Sequence, residues 1–168
     1  FPRVDRPNTA TGVVQIGPQQ PLLGVIDVAM DKTHTCAIDR LGNAYCWGSG
    51  AGYQLGNGDQ ASSHLARPVR SAEGAIPEAL VALAITAGQQ DDGAVNLTCG
   101  LGESGRLYCW GNNPYSVARA QAPELHFATY VLLVRPLNEP PPSPFTALAM
   151  TQGRFCGLAI DGTMRCWG

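Results

Sequence analysis

Cysteine is the residue type whose spacing in this chain most directly implies chemistry. The chain has six cysteines in 168 residues, and they fall into three pairs: Cys36 with Cys46, Cys99 with Cys109, and Cys156 with Cys166. Within each pair the second lies ten positions after the first, and each second cysteine opens a Cys-Trp-Gly triplet. Two thiols facing each other across a hairpin can be oxidised to a disulfide. With a turn centred midway, their β-carbons would lie roughly 4.5–5.5 Å apart and relax inward to bridge. Zinc is the competing chemistry, but structural zinc sites bring ligands in close C-x2-4-C pairs, and a ten-residue interval does not fit. The three histidines, His34, His64 and His126, do not recur in register with the pairs. Disulfides in an oxidising compartment are therefore expected, with no metal site.

Other reactive residue types give weaker patterns. Gly48-Ser49-Gly50 is not a nucleophile elbow, and its glycines suit turns. Asp91-Asp92 reads as a solvated loop with too few oxygen donors for calcium. His34 precedes Cys36 by two positions and so shares its face of a strand, which suggests a hydrogen-bonding role at the rim. Asn96-Leu97-Thr98 is an N-glycosylation sequon, marking Asn96 as a candidate glycan site on a secretory route. Trp47, Trp110 and Trp167 read as packing residues, each burying a large surface while its N–H binds a carbonyl. Carbohydrate stacking is their functional alternative. No catalytic constellation and no cofactor site emerges.

The elements that carry these residues are short and β-prone. Thr35–Ile38 and Ala44–Trp47 flank a turn, and Asp161-Gly162 in the third copy is a strong hairpin signal. Apolar runs precede the hairpins at Val25–Met30, Leu80–Ile85 and Phe145–Met150 and read as buried inner strands. The second and third could pass for short helices by composition. Arg-Pro-containing segments follow, Leu65–Val69 and Val131–Leu137, where proline suits an outermost strand. Each repeat thus supplies four antiparallel strands, the content of a propeller blade. The expected fold is all-β, with about three blades forming part of a larger propeller. Residues 1–23 would hold the outer strand of a preceding blade (Gly12–Ile16) and a linker. Residues 24–70 form repeat 1, 71–138 repeat 2 with insertions, 139–144 a proline-rich connection, and 145–168 an incomplete repeat 3. The run Glu139–Pro144 suits a stiff polyproline II connection, or a docking or modified segment.

Composition narrows the function classes. Net charge is −2, charged residues are 14% of the chain, and ten arginines are scattered beside the single Lys32. Nothing here resembles the basic stripe of a nucleic-acid binder, and no apolar run reaches the length of a membrane span. The chain starts at Phe1 rather than Met, so a precursor segment is expected to have been removed or left out.

The pattern His34-Thr-Cys-Ala-Ile38, a turn, Ala44-Tyr-Cys-Trp-Gly48 and then Gly50-Ala-Gly-Tyr-Gln-Leu-Gly-Asn-Gly58 resembles the regulator of chromosome condensation repeat. It is most similar to the cysteine-paired version of secreted proteins. Repeat 2 keeps Cys109-Trp-Gly-Asn-Asn113 but has Pro114-Tyr-Ser-Val117 in place of Gln-Leu-Gly, and an insertion at Gln89–Asn96. The resemblance covers roughly residues 24–168 and implies a seven-bladed type of propeller, with roles that range from small-GTPase exchange to secreted binders. The expectation is a non-catalytic extracellular module in a cell-surface, wall, matrix or appendage assembly. Its partners would be other protein chains, including further copies or blades of the same protein. A soluble secreted binder or inhibitor is the alternative, and an exchange factor is a weaker third. Binding would fall on the loops Ser49–Ser63, Gln89–Leu97 and Asn112–Tyr130.

Overall fold

The computed structural model describes residues 13–90, 93–112, 124–131, 144–151 and 154–167. All regular structure among them is β. Strands β1 (Gln15–Gly17) and β2 (Gln20–Pro21) form a small hairpin. Blade 1 follows as β3 (Val25–Met30), β4 (His34–Asp39), β5 (Ala44–Gly48) and β6 (Ser63–Pro68), hydrogen-bonded in chain order. Blade 2 repeats the plan with β7 (Leu80–Gln90), β8 (Gly93–Gly102), β9 (Leu107–Asn112) and β10 (Glu124–Val131). Blade 3 comprises β11 (Phe145–Thr151), β12 (Arg154–Ala159) and β13 (Met164–Trp167). Every pairing is antiparallel. The apolar inner runs are strands in all three blades, because each is paired along its length with its neighbour rather than left to close on itself.

The repeat holds at the level of register. Cys36 pairs with Cys46, Cys99 with Cys109 and Cys156 with Cys166 as direct cross-strand partners. Each pair is bridged, with Cα atoms 4.1 Å apart. The inner strands share one irregularity at equivalent places, between Val25 and Asp27, Leu80 and Ala82, and Phe145 and Ala147. Hairpin turns close through the same bonds: the amides of Gly42, Gly105 and Gly162 donate to the carbonyls of Asp39, Gly102 and Ala159. These glycines have φ of 78°, 80° and 81°, a conformation that side chains with a Cβ resist.

Two expectations need correction. The outer strand of the second repeat is β10 at Glu124–Val131, upstream of the Arg135-Pro136 segment expected to supply it. Here Thr129 stands opposite Cys109, as Arg67 stands opposite Cys46 in blade 1. The insertion at Gln89–Leu97 is no loose loop. β7 and β8 continue their ladder outward as far as Gln90 opposite Gly93, so pairing absorbs the extra residues into a longer hairpin. Of the segment Gly12–Ile16, Gln15 and Ile16 fall in β1, whose ladder partner among the described residues is β2, and Gly12 lies outside the described residues. Residues 139–143 of the proline run, and Asp91-Asp92, lie outside the described residues.

Side chains alternate between a rear face, toward the preceding element, and a forward face, toward the following blade. Cys36, Ile38, Ala44 and Cys46 point forward onto Leu80, Leu83, Tyr108 and Trp110 of blade 2. Cys99, Leu101, Leu107 and Cys109 point forward onto Phe145 and Phe155 of blade 3. A third cluster joins Ala37 and Ala66 on the rear of blade 1 to Leu22, Val14 and Ile16 of the N-terminal segment. The disulfides of blades 1 and 2 are therefore part of the seams between blades, and each large apolar side chain buried there contributes roughly 1.5–3 kcal/mol.

Candidate functional site

The most organised polar cluster among the described residues lies in the seam between blades 1 and 2. It begins at the turn after β3, where Asp31 Oδ1 accepts from the amides of Thr33 (2.6 Å) and His34 (3.0 Å) and from Thr33 Oγ1 (2.8 Å). Those bonds fix the chain as it enters β4 and aim the His34 ring forward. His34 Nε2 lies 2.7 Å from Thr98 Oγ1 on β8 of blade 2. On the other side of the ring, Nδ1 is 3.1 Å from Thr33 Oγ1 and 3.4 Å from Asp31 Oδ2.

The proton positions follow from this network. The Thr33 hydroxyl hydrogen is committed to Asp31, so its oxygen accepts from Nδ1–H. Nε2 is then unprotonated and accepts from the Thr98 hydroxyl. Burial pushes the His34 pKa below its ordinary value, against the opposing pull of the Asp31 carboxylate. Burial alone would raise the Asp31 pKa. The amides of Thr33 and His34, with the neighbouring imidazole, hold it below the ordinary carboxylate value instead.

Hydroxyl, imidazole and carboxylate in this order match the parts of a nucleophilic triad. Their surroundings do not match. Thr98 is 0% exposed and His34 2%, with the Cys36–Cys46 bridge packed alongside at 4.0 Å from the hydroxyl. A substrate carbonyl has no route to that oxygen. The cluster is a polar latch that fixes the rotation of blade 2 against blade 1. His34 was expected to make hydrogen bonds at the rim, and it makes them inside the seam. Thr98 was read only as the last residue of the sequon. Nothing local marks it as the partner of a histidine 64 positions earlier.

The sequon asparagine is placed accordingly. Asn96 is half-buried in β8, paired with Ala87 on one side and Asn112 on the other. Its Nδ2 lies 3.6 Å from where a Cβ on Gly52 would stand.

The tryptophans differ in their surroundings. Trp110 is fully buried, and its indole N–H donates to the Gln54 carbonyl, 3.1 Å away, in the segment after β5 of blade 1. Gly56, at φ 63°, lies so close to the indole that an added Cβ would sit 2.6 Å from the ring. Gln54 itself is 1% exposed, and its Oε1 accepts from the Gly52 amide at 2.7 Å. The Gln54-Leu55-Gly56 stretch thus clamps the tryptophan of the next blade. Trp47 is only half-buried and packs against the N-terminal cluster. The side chain of Trp167 lies outside the described residues.

The candidate loops divide in the same way. Ser49–Ser63 is mostly spent on blade 2: its Leu55 is buried, and Asn57 makes a bridge to Phe127 on β10. At the rim of this contact Tyr53 stacks on His126, ring centroids 3.8 Å apart and planes 17° from parallel. Much of Asn112–Tyr130, from 113 to 123, lies outside the described residues. A cleft of about 620 Å³ lies between the turn of blade 1 and the 74–79 connector. Two of its polar side chains are engaged. Asn43 binds Asp39, and Glu78 accepts from Ser104 and from the Tyr108 hydroxyl. Burial together with that bond pushes the Tyr108 pKa up to about 12. Among the described residues there is no group of three or more potential metal ligands, and no helix long and apolar enough to cross a membrane.

Comparison with known proteins agrees with this architecture. Residues 42–89 and residues 96–116 match family models both described as the regulator of chromosome condensation (RCC1) repeat. The chain is 31% identical over 91 residues, 54% of its length, to the E3 ubiquitin-protein ligase HERC2 of Homo sapiens, and equally to that of Mus musculus. The matched span is 2% of those relatives' length. Human WBSCR16 superposes with a TM-score of 0.68 at 16% identity, covering 86% of this chain and 33% of that one. Yeast RCC1 (Prp20), solved bound to Kap60, gives 0.61 at 19% identity, covering 88% and 32%. At those identities the structural likeness concerns the fold alone, and this chain spans about a third of either propeller.

Proposed function

We propose that this chain, built of regulator of chromosome condensation repeats, is a non-catalytic protein-interaction module that works in an extracellular assembly. The observation that carries the reading is the location of its polar chemistry. The triad-like cluster among the described residues is sealed between blades, where it holds the scaffold rigid. Three cross-strand disulfides, one per blade, support an oxidising compartment. They also argue against a cytosolic or nuclear exchange factor, since thiols there are kept reduced. A propeller whose blades are stapled and latched presents its rim as a fixed surface, and such surfaces serve recognition.

The protein partners of structural relatives fit the same general role. Yeast RCC1 (Prp20) is solved bound to Kap60 and binds Gsp1p and histones, and those partners belong to that protein. For the present chain the scattered arginines and the net charge of −2 do not suit a DNA or histone-DNA surface. A soluble binder of one protein remains the second reading, favoured by the Tyr53–His126 stack at the rim of blades 1 and 2. Rigid aromatic side chains of this kind are common anchors in protein interfaces.

The test is the thiol state of protein recovered from its source with free thiols alkylated at lysis, combined with crosslinking to neighbouring chains. Three intact disulfides and crosslinks at the rim are the expected result. Six alkylated thiols would overturn the extracellular placement.

A further inference from the structure

We propose that the cleft between the blade 1 turn and the 74–79 connector binds an extended peptide segment of a partner protein, one that carries an aspartate or glutamate beside an aliphatic side chain. The proposal deepens the protein-interaction reading, rests on it, and names the chemistry of the partner.

Both walls of the cleft come from residues 41–79, well inside the chain. One wall is the turn and the outer-strand end of blade 1, and the other is the connector that leads into blade 2. Its volume, about 620 Å³, lies in the ordinary range for a ligand site. Leu41, Val69, Ile76 and Pro77 supply apolar lining, against which an aliphatic side chain would displace water.

The two charged residues of the lining are in different condition. Glu78 already accepts from the Ser104 amide (2.8 Å), the Ser104 hydroxyl (2.9 Å) and the Tyr108 hydroxyl (2.7 Å). Burial would raise its pKa, but those donors hold it below the ordinary carboxylate value, so it stays a satisfied anion. Arg70 is exposed, and its guanidinium makes no hydrogen bond or ion pair among the described residues. The uncommitted charge of the cleft is therefore a cation, with a planar fork of donors that fits a carboxylate. A phosphate dianion would bring a second negative charge up to a lining that already holds the Glu78 anion.

Main-chain groups argue for a peptide. The amides of Ile76 and Glu78 donate to nothing among the described residues. They stand two positions apart, the spacing at which an extended chain presents donors to one side, and Pro77 between them has no N–H. An added strand pairs through such groups while its side chains fill pockets. The lining is also fixed in advance. The Arg70 amide donates to the Gly56 carbonyl at 2.9 Å, and its carbonyl accepts from Ala128 of β10 at 2.8 Å. Ser71 and Gly74 exchange two backbone bonds, and the Leu80 amide donates to the Gly42 carbonyl. A preorganised site of this kind loses little freedom on binding.

Arrays of capped hexapeptides test the proposal, with varied aliphatic flanks around a central Glu, Gln, Lys or phosphoserine, probed with the labelled, oxidised 168-residue chain. Glu-centred peptides should be retained. By fluorescence anisotropy the best of them should bind about tenfold or more tightly than its Gln counterpart. Arg70→Gln should abolish that difference, and Arg70→Glu should transfer the preference to Lys-centred peptides. Leu41→Ser should weaken Glu- and Gln-centred peptides alike. Both Arg70 variants should keep the parent's disulfide content and near-ultraviolet circular dichroism, because the side chain is exposed and unpaired. The proposal is overturned if no Glu-centred peptide binds, or if Glu and Gln peptides bind equally. Tighter binding of phosphoserine peptides, or an Arg70→Glu variant that does not reverse the preference, overturns it as well. Such a failure would leave the interaction reading to be judged on its own thiol and crosslinking results.

Discussion

Thr98 Oγ1, on the second strand of blade 2, donates to His34 Nε2 on the second strand of blade 1 across 2.7 Å, and both side chains are buried. This bond ties two sheets that also meet through apolar packing and through the Trp110–Gln54 and Leu83–Asp27 bonds. Being directional, it selects one rotation of blade on blade where packing alone would tolerate several.

Removing one partner should therefore cost more than removing both. Thr98→Val leaves a buried, unsatisfied imidazole nitrogen and should destabilise the chain by about 1–3 kcal/mol. His34→Ala should cost at least as much. A double-mutant cycle by urea denaturation should give a coupling energy of about 0.5–3 kcal/mol between them. Additive losses would show that the latch contributes nothing.

The same pair sets a pH dependence. The folded-state pKa of His34 is depressed below 6.5 by burial, so the unfolded chain takes up this proton first as pH falls. Stability from the neutral imidazole is complete above about pH 6.5 and is lost as pH drops through the folded value. Asp31, held below 3.8 by its amide donors, contributes a separate loss only at lower pH. Midpoints of urea unfolding should fall between about pH 7 and about pH 5, and His34→Gln should flatten that part of the curve.

Gly42 and Gly162 occupy equivalent turns with nearly equal positive φ, but only Gly42 is pressed against a following blade. Alanine at either position forces the left-handed conformation on a residue that resists it, costing roughly 1–2 kcal/mol. Gly42→Ala adds a collision with the backbone and side chain of Ala79. Its melting temperature should fall well below that of Gly162→Ala, and equal falls would mean the seam gives way easily.

Trp110→Phe removes the bond to the Gln54 carbonyl and leaves space in a tightly packed seam. A loss of about 1–3 kcal/mol is expected. Trp47→Phe, at a half-buried position against the N-terminal cluster, should cost less. Thermal unfolding of the two variants side by side would decide this.

Each disulfide closes a short loop and should contribute about 2.5–3 kcal/mol by restricting the unfolded chain. Replacing Cys99 and Cys109 together by alanine should lower stability by about that much, with blade 2 still assembled on its neighbours. Calorimetry with and without reductant would measure it.

Much of this architecture is legible in the sequence because it is local. A hairpin's register follows from its turn and from strict alternation, so the spacing of Cys36 and Cys46 is enough to place them opposite each other. Repetition of that unit implies blades, and blades imply a propeller. What lies between the blades is not written in any local pattern. Alternation says that Thr98 and Leu97 point to opposite faces, but not which face meets His34, nor that the Gln54 segment closes over Trp110 in the next repeat. Those contacts join residues 64 and 56 positions apart, and which residues meet depends on how two twisted sheets settle their volumes against each other. The sequence by itself determined the staples and the repeats, through short-range geometry. Only the tertiary structure decided that Thr98 serves a seam and that the insertion extends a ladder.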